Sequence, residues 1–85
     1  MSDEELVRRF QQTGDQIAFE TLVRRHIGKV RRLIAVVAGG TIEDREDLEQ
    51  DILAELYLAL PRFRGESQFA TFLYRFCRNK TIAAI

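Results

Sequence analysis

Four carboxylates, Asp44, Asp47, Asp51 and Glu55, recur at steps of three or four residues, the spacing that aligns side chains along one helix face. Such a stripe can ligate a divalent cation, meet a cationic partner, or face water as an ordinary solvated surface. The metal option has little support, because no Glu-x-x-His pair exists and the single histidine, His26, is far away in sequence. Like charges at this spacing repel by a few tenths of a kcal/mol per pair, and a cationic partner relieves that repulsion. His26 has no Ser or Cys nucleophile paired with it in any motif, and it sits among Val23, Ile27 and Val30 as a partly buried histidine would. The one cysteine, Cys77, excludes an internal disulfide framework and a multi-cysteine zinc site, and reads as a small core residue.

A different chemistry is concentrated in residues 61–80, PRFRGESQFATFLYRFCRNK. Gly65 can adopt a left-handed turn, and Ser67 is placed to cap a following helix. On the fourth helix Arg75 and Arg78 can hold phosphates, while Thr71, Tyr74 and Asn79 can hydrogen-bond bases. Arg62, Arg64, Gly65, Glu66 and Ser67 of the turn complete the candidate DNA-binding set. A turn and helix start of this kind offer backbone donors and basic side chains to a single nucleic-acid strand.

Charge is segregated beneath a net charge of zero. Between Thr21 and Ile42 stand Arg24, Arg25, Lys29, Arg31 and Arg32 with no acid, whereas residues 43–55 carry seven acids and only Arg45. Residues 62–80 return to five bases against Glu66. The alternation suggests opposite-sign surfaces for different partners, although solvated helix faces would look the same. The basic block 24–32 could track phosphates or pair with the acidic helix, and the pattern alone leaves this open.

These side chains must be positioned by helices, since no segment shows the strict alternation of a half-buried strand. A short helix is expected over about residues 3–12, with Leu6, Val7 and Phe10 on one face. A second over about 16–37, after an Asp15 cap, carries Phe19, Leu22, Val23, Ile27, Val30, Leu33, Ile34 and Val37. A third over about 43–60, capped by Thr41 or Asp44, has Leu48, Ile52, Leu53, Leu56, Tyr57 and Leu60 on a broad apolar arc. The fourth begins near Ser67 and groups Phe69, Phe72, Leu73, Phe76 and Ala83, with most of that stripe expected in the core. Pro61 discourages continuation of the third helix. The expected fold is all-α, a small bundle of about four helices in one domain of 85 residues. Acidic first residues and the lack of a long apolar run read as a cytoplasmic domain without membrane insertion. The fourth helical pattern still runs at Ile85, which reads as a fragment boundary.

Three blocks carry a family resemblance in the right order. They are Gly14-Asp15 with Ala18-Phe19-Glu20 and Leu22, then Asp47-Leu48-Glu49-Gln50-Asp51, then Phe63-Arg64-Gly65 through Asn79. Together they resemble region 2 of bacterial RNA polymerase sigma factors of the extracytoplasmic-function (ECF) type. The resemblance implies a non-enzymatic, cofactor-free transcription initiation module. It implies that Asp47, Gln50 and Asp51 dock on the clamp helices of the polymerase's largest subunit. It further implies that the fourth helix meets the non-template strand of the promoter −10 element, and that the loop over residues 64–68 holds an extruded base. A second domain that reads the −35 element is expected to be absent from these residues, and an anti-sigma protein is a further implied partner. Phe72 departs from the family pattern, standing where many members have Trp, so contacts that need an indole N–H are not expected.

Two other readings compete. A purely protein-binding helical module, such as a regulator that borrows the polymerase-binding surface, predicts indifference to Arg75 and Arg78. An enzyme using the carboxylate stripe on a metal predicts tight divalent binding lost with Asp47 or Asp51.

Overall fold

Three of the four helices begin where a nearby side-chain oxygen meets a free backbone N–H. In the computed structural model, which describes residues 1–85, α1 spans Asp3–Thr13, α2 Gln16–Ala38, α3 Ile42–Ala59 and α4 Phe69–Ala84. Ser2 and Glu5 close a reciprocal box at the start of α1, each backbone N–H donating to the other's side chain. The Ser2 N–H bond also holds the Glu5 carboxyl below its ordinary pKa. Asp15 accepts from Ile17 and Ala18 at the start of α2, and Thr41, rather than Asp44, accepts from Asp44 N–H at the start of α3. Gly14 ends α1 at φ 70°, a left-handed conformation that turns the chain sharply into α2.

The fourth helix departs from expectation. It starts at Phe69, not near Ser67, and Ser67 does not cap it: the Ser67 hydroxyl donates instead to the Gln68 carbonyl at 3.2 Å. Gln68 occupies the cap position without a side-chain cap bond, and the carboxylate of Glu4 in α1 accepts from Phe69 N–H at 3.0 Å. Between α3 and α4 the chain tightens into a single 3₁₀ turn, Leu60–Arg62, closed by Phe63 N–H donating to the Leu60 carbonyl. Pro61 suits this turn because its fixed φ fits and its missing N–H is not needed there.

The longest helix, α2, packs against all three others. Its Ala18, Leu22, Val30, Leu33 and Ile34 meet Leu6, Val7 and Phe10 of α1, Ile52 and Leu56 of α3, Leu60 of the turn, and Phe69, Leu73 and Cys77 of α4. Thr81 completes the buried row of α4, its hydroxyl donating to the Cys77 carbonyl. Cys77 is buried as expected, but the rest of the α4 stripe is shifted: Phe72 and Phe76 are only half-buried, Ala83 is exposed, and Thr81 takes an inner position. Leu48 and Leu53 of α3 are likewise half-buried. Tyr57 lies on the rim and packs edge-on to Phe10 and Phe19, ring centres 5.2 and 5.0 Å away. No helix is long and apolar enough to cross a membrane.

Burial pushes the Cys77 thiol from an ordinary 9.0 up to about 11. The folded chain therefore keeps it protonated and unreactive at neutral pH. Alkylation at pH 8, followed by mass spectrometry, should be far slower in the native chain than in urea, and equal rates would contradict the burial. Because the folded value is raised, this contribution to stability is complete below about pH 9 and is lost as pH rises toward 11.

Candidate nucleic-acid interface

The 3₁₀ turn and loop after α3 fold across α4 and leave a cleft of about 580 Å³. The loop contributes Arg62, Phe63, Arg64, Glu66 and Ser67; α4 contributes Phe72, Arg75, Phe76 and Asn79. The α4 positions recur every three or four residues and so form one stripe. Phe63 stacks on Phe72 with ring centres 4.3 Å apart and planes 26° apart, and Phe76 continues the aromatic floor at 5.8 Å from Phe72. The floor is apolar, and the rim offers three guanidinium groups, a carboxylate, a hydroxyl and an amide. Phe72 is half-buried, packed against the core on one side and facing the cleft on the other, and hydrogen-bond donors here come from the rim, not from an indole. Gly65 sits at the loop apex with φ 71°, and a Cβ there would meet nothing within 4 Å, so the backbone angle and not crowding favours glycine.

The remaining predicted residues lie around α4 from this cleft. Thr71 and Tyr74 line a groove with His26, Lys29, Val30 and Leu33 of α2. Tyr74 and Arg78 lie with Lys29, Arg32, Val36 and Val37 of α2 in a third depression. Arg75 borders all three and joins them. Lys29 and Arg32 of the basic block on α2, whose role the sequence left open, thus adjoin the candidate surface of α4. None of Lys29, Arg32, Arg75 or Arg78 is held in an ion pair.

The basic block of α2 divides by direction. Arg25 donates to Asp3 of α1 and to the Met1 carbonyl before it, and Arg31 pairs with Glu49 of α3 at 2.8 Å. Lys29 faces α4, and Arg32 borders both the depression against α4 and the one beside Glu49 and Gln50 of α3. His26 is held by Asp3 at 2.8 Å and meets the Phe69 ring edge-on, so it is satisfied structurally. Spacing within one helix could flag Lys29 and Arg32 as basic, but only the packing of α2 on α4 tells them from Arg25 and Arg31.

A second charged surface lies on α3. Asp44, Asp47 and Asp51 are exposed, form no ion pair, and border a shallow concavity with Gly39, Gly40, Ala84 and Ile85. Glu55, the fourth acid of the stripe, is 3.5 Å from Lys80. Gln50 lies farther round the helix, beside Arg31, Arg32, Arg45 and Glu49. The acidic concavity shares no residue with the aromatic cleft. No group of three or more His, Cys, Asp or Glu converges as a metal site.

The family described as Sigma-70 region 2 matches residues 22–85. Over 80 residues the chain is 42% identical to the ECF RNA polymerase sigma-E factor of Escherichia coli (strain K12), covering 93% of this chain and 40% of that protein. It is 39% identical over 79 residues to the ECF RNA polymerase sigma-E factor of Haemophilus influenzae, again covering 93% of this chain and 40% of the relative. The chain thus spans about 40% of the length of these curated relatives. Among solved structures, an engineered region 2 of sigmaE, determined by NMR in complex with GTAAAA, superposes with a TM-score of 0.86 at 34% identity. That superposition covers 99% of this chain and 85% of the other. From fold, sequence and the matched span together, the chain belongs to the Sigma-70 region 2 family.

Proposed function

We propose that this chain is the polymerase-binding and −10-reading unit of an ECF-type sigma factor, a non-catalytic module acting with RNA polymerase in the cytoplasm. The observation that carries the reading is the aromatic-floored, arginine-rimmed cleft, in a fold whose engineered sigmaE neighbour was solved with GTAAAA. Bases of the melted non-template strand stack on or beside Phe63, Phe72 and Phe76, each stacked base contributing about 1–3 kcal/mol. Arg62, Arg64, Arg75 and Arg78, joined by Lys29 and Arg32, neutralise phosphates. Glu66, Ser67 and Asn79 face base edges, and the Glu66 carboxylate can only accept, so it selects for bases that present an N–H donor to it. Thr71 and Tyr74 extend the contact toward α2. Core polymerase docks through Asp47, Gln50 and Asp51 on the clamp helices of its largest subunit. An anti-sigma protein is a further proposed partner, and reading of the −35 element is assigned to none of these residues.

A salt titration with single-stranded GTAAAA tests the DNA surface. Arg75→Ala and Arg78→Ala should each weaken binding similarly for every sequence and shallow the log-affinity against log-salt slope by about 0.7. Asn79→Ala should lower base discrimination with the slope unchanged, because a neutral amide releases no counterion. Arg variants with wild-type affinity and slope would leave this face without a nucleic-acid role and favour a protein-binding module.

A further inference from the structure

The loop that lines the cleft has little of its own to hold it. Arg64, Gly65, Glu66 and Ser67 make no backbone–backbone hydrogen bond, and the following helix lacks a side-chain cap from its own segment. The fastenings come from α1, which precedes the span matched by the family. The Gln11 amide donates to two carbonyls at the loop's first end, Leu60 at 3.0 Å and Phe63 at 2.7 Å. The Glu4 carboxylate accepts from Phe69 N–H at the loop's last end. Glu4 and Gln11 are seven residues apart, about two helical turns, so they lie on one face of α1 roughly 10 Å apart. Leu6, Val7 and Phe10 bury the adjoining face, which fixes α1 against the core and makes it a rigid ruler across the loop.

We propose that Glu4 and Gln11 are positioning residues for base selection, holding the two ends of the loop so that residues 64–68 form a ready-made pocket. This rests on the nucleic-acid reading of the cleft. A loop already ordered before binding does not lose conformational freedom on contact, and it can reject a base that a mobile loop would accommodate. Gln11 acts through geometry, because its two acceptors are carbonyls that only a donor can bridge. Glu4 acts through acceptance of one N–H at a helix start, where negative charge is also favoured.

The test compares the 85-residue wild-type chain with Gln11→Ala, Gln11→Glu, Glu4→Ala and Glu4→Gln. Affinity is measured for single-stranded GTAAAA and its single-base variants, with circular dichroism and the salt slope as controls. Gln11→Glu keeps the volume but sets a carboxylate against two carbonyls, so it should lose base discrimination as Gln11→Ala does, by roughly three- to tenfold. A packing role would instead be rescued by Gln11→Glu. Helicity and salt slope should stay at wild-type values. In the free chain, Glu4→Ala should speed amide exchange at Phe69 by roughly three- to tenfold, while Glu4→Gln, which keeps an acceptor, should restore much of the protection. If the wild type discriminates among bases and the Gln11 variants discriminate equally, the positioning role falls and the reading of the cleft stands. Unchanged Phe69 exchange in Glu4→Ala also removes the fastening. A wild-type chain that binds no base selectively removes the reading itself, and the positioning role with it.

Discussion

Phe69→Ala should bring the domain to the edge of unfolding, whereas Phe72→Ala, three residues on, should leave it folded. Phe69 is 1% exposed and is the largest fully buried side chain. Removing a buried phenylalanine typically costs about 3–5 kcal/mol. A chain of this length has roughly 4–13 kcal/mol of total stability. Only 15 of 85 residues are buried, so this core has little reserve and the loss is a large share of it. Phe72 is half-buried and stacked on Phe63 at the cleft floor, so its removal leaves no closed cavity and should chiefly weaken binding of single-stranded DNA. Urea denaturation followed by circular dichroism measures both. Equal destabilisation by the two variants would mean that the core of α4 has been misplaced.

Asp51→Lys should weaken association with core polymerase by at least about tenfold, as expected for charge reversal at an electrostatically matched interface. The side chain is exposed and makes no ion pair within the chain, so folding should not suffer. It also stands four residues from both Asp47 and Glu55, and reversing its sign relieves two like-charge neighbours on the helix. Glu55→Lys is a less clean probe, because it also breaks the contact with Lys80. A pull-down titration at two salt concentrations reads the effect, which should shrink at high salt. Unchanged affinity with normal helicity would place polymerase docking elsewhere on the surface.

The two charged surfaces are separate in composition, so a chain of zero net charge presents opposite signs at two places. The acidic concavity of α3 suits a cationic protein face, while the arginine-rimmed cleft suits phosphate. Other charges are consumed by intramolecular pairing, Arg31 on Glu49 and Arg25 on Asp3, which leaves Asp47, Asp51, Arg75 and Arg78 unpaired. A mutation that frees Arg31 would therefore add a positive group beside Gln50 without touching the aromatic cleft.

The sequence by itself determined the four helices, most of their limits, and the charged and aromatic groups that they carry. Helical periodicity, the Asp15 and Thr41 caps and the left-handed Gly14 and Gly65 depend on neighbours within a few residues, and such short-range physics is legible in order along the chain. The tertiary structure decided what depends on how each helix is rotated against the others. It left Phe72 and Phe76 at the edge of the core, facing the cleft, and buried Thr81 beside the expected core residue Cys77, because the apolar stripe of α4 is wider than the surface its neighbours cover. It divided the basic block of α2 between intramolecular pairs and the open face, a division of side chains that are alike in sequence. It also replaced the local cap expected from Ser67 with Glu4, 65 residues distant, since a helix start needs an acceptor and folding can bring one from any part of the chain.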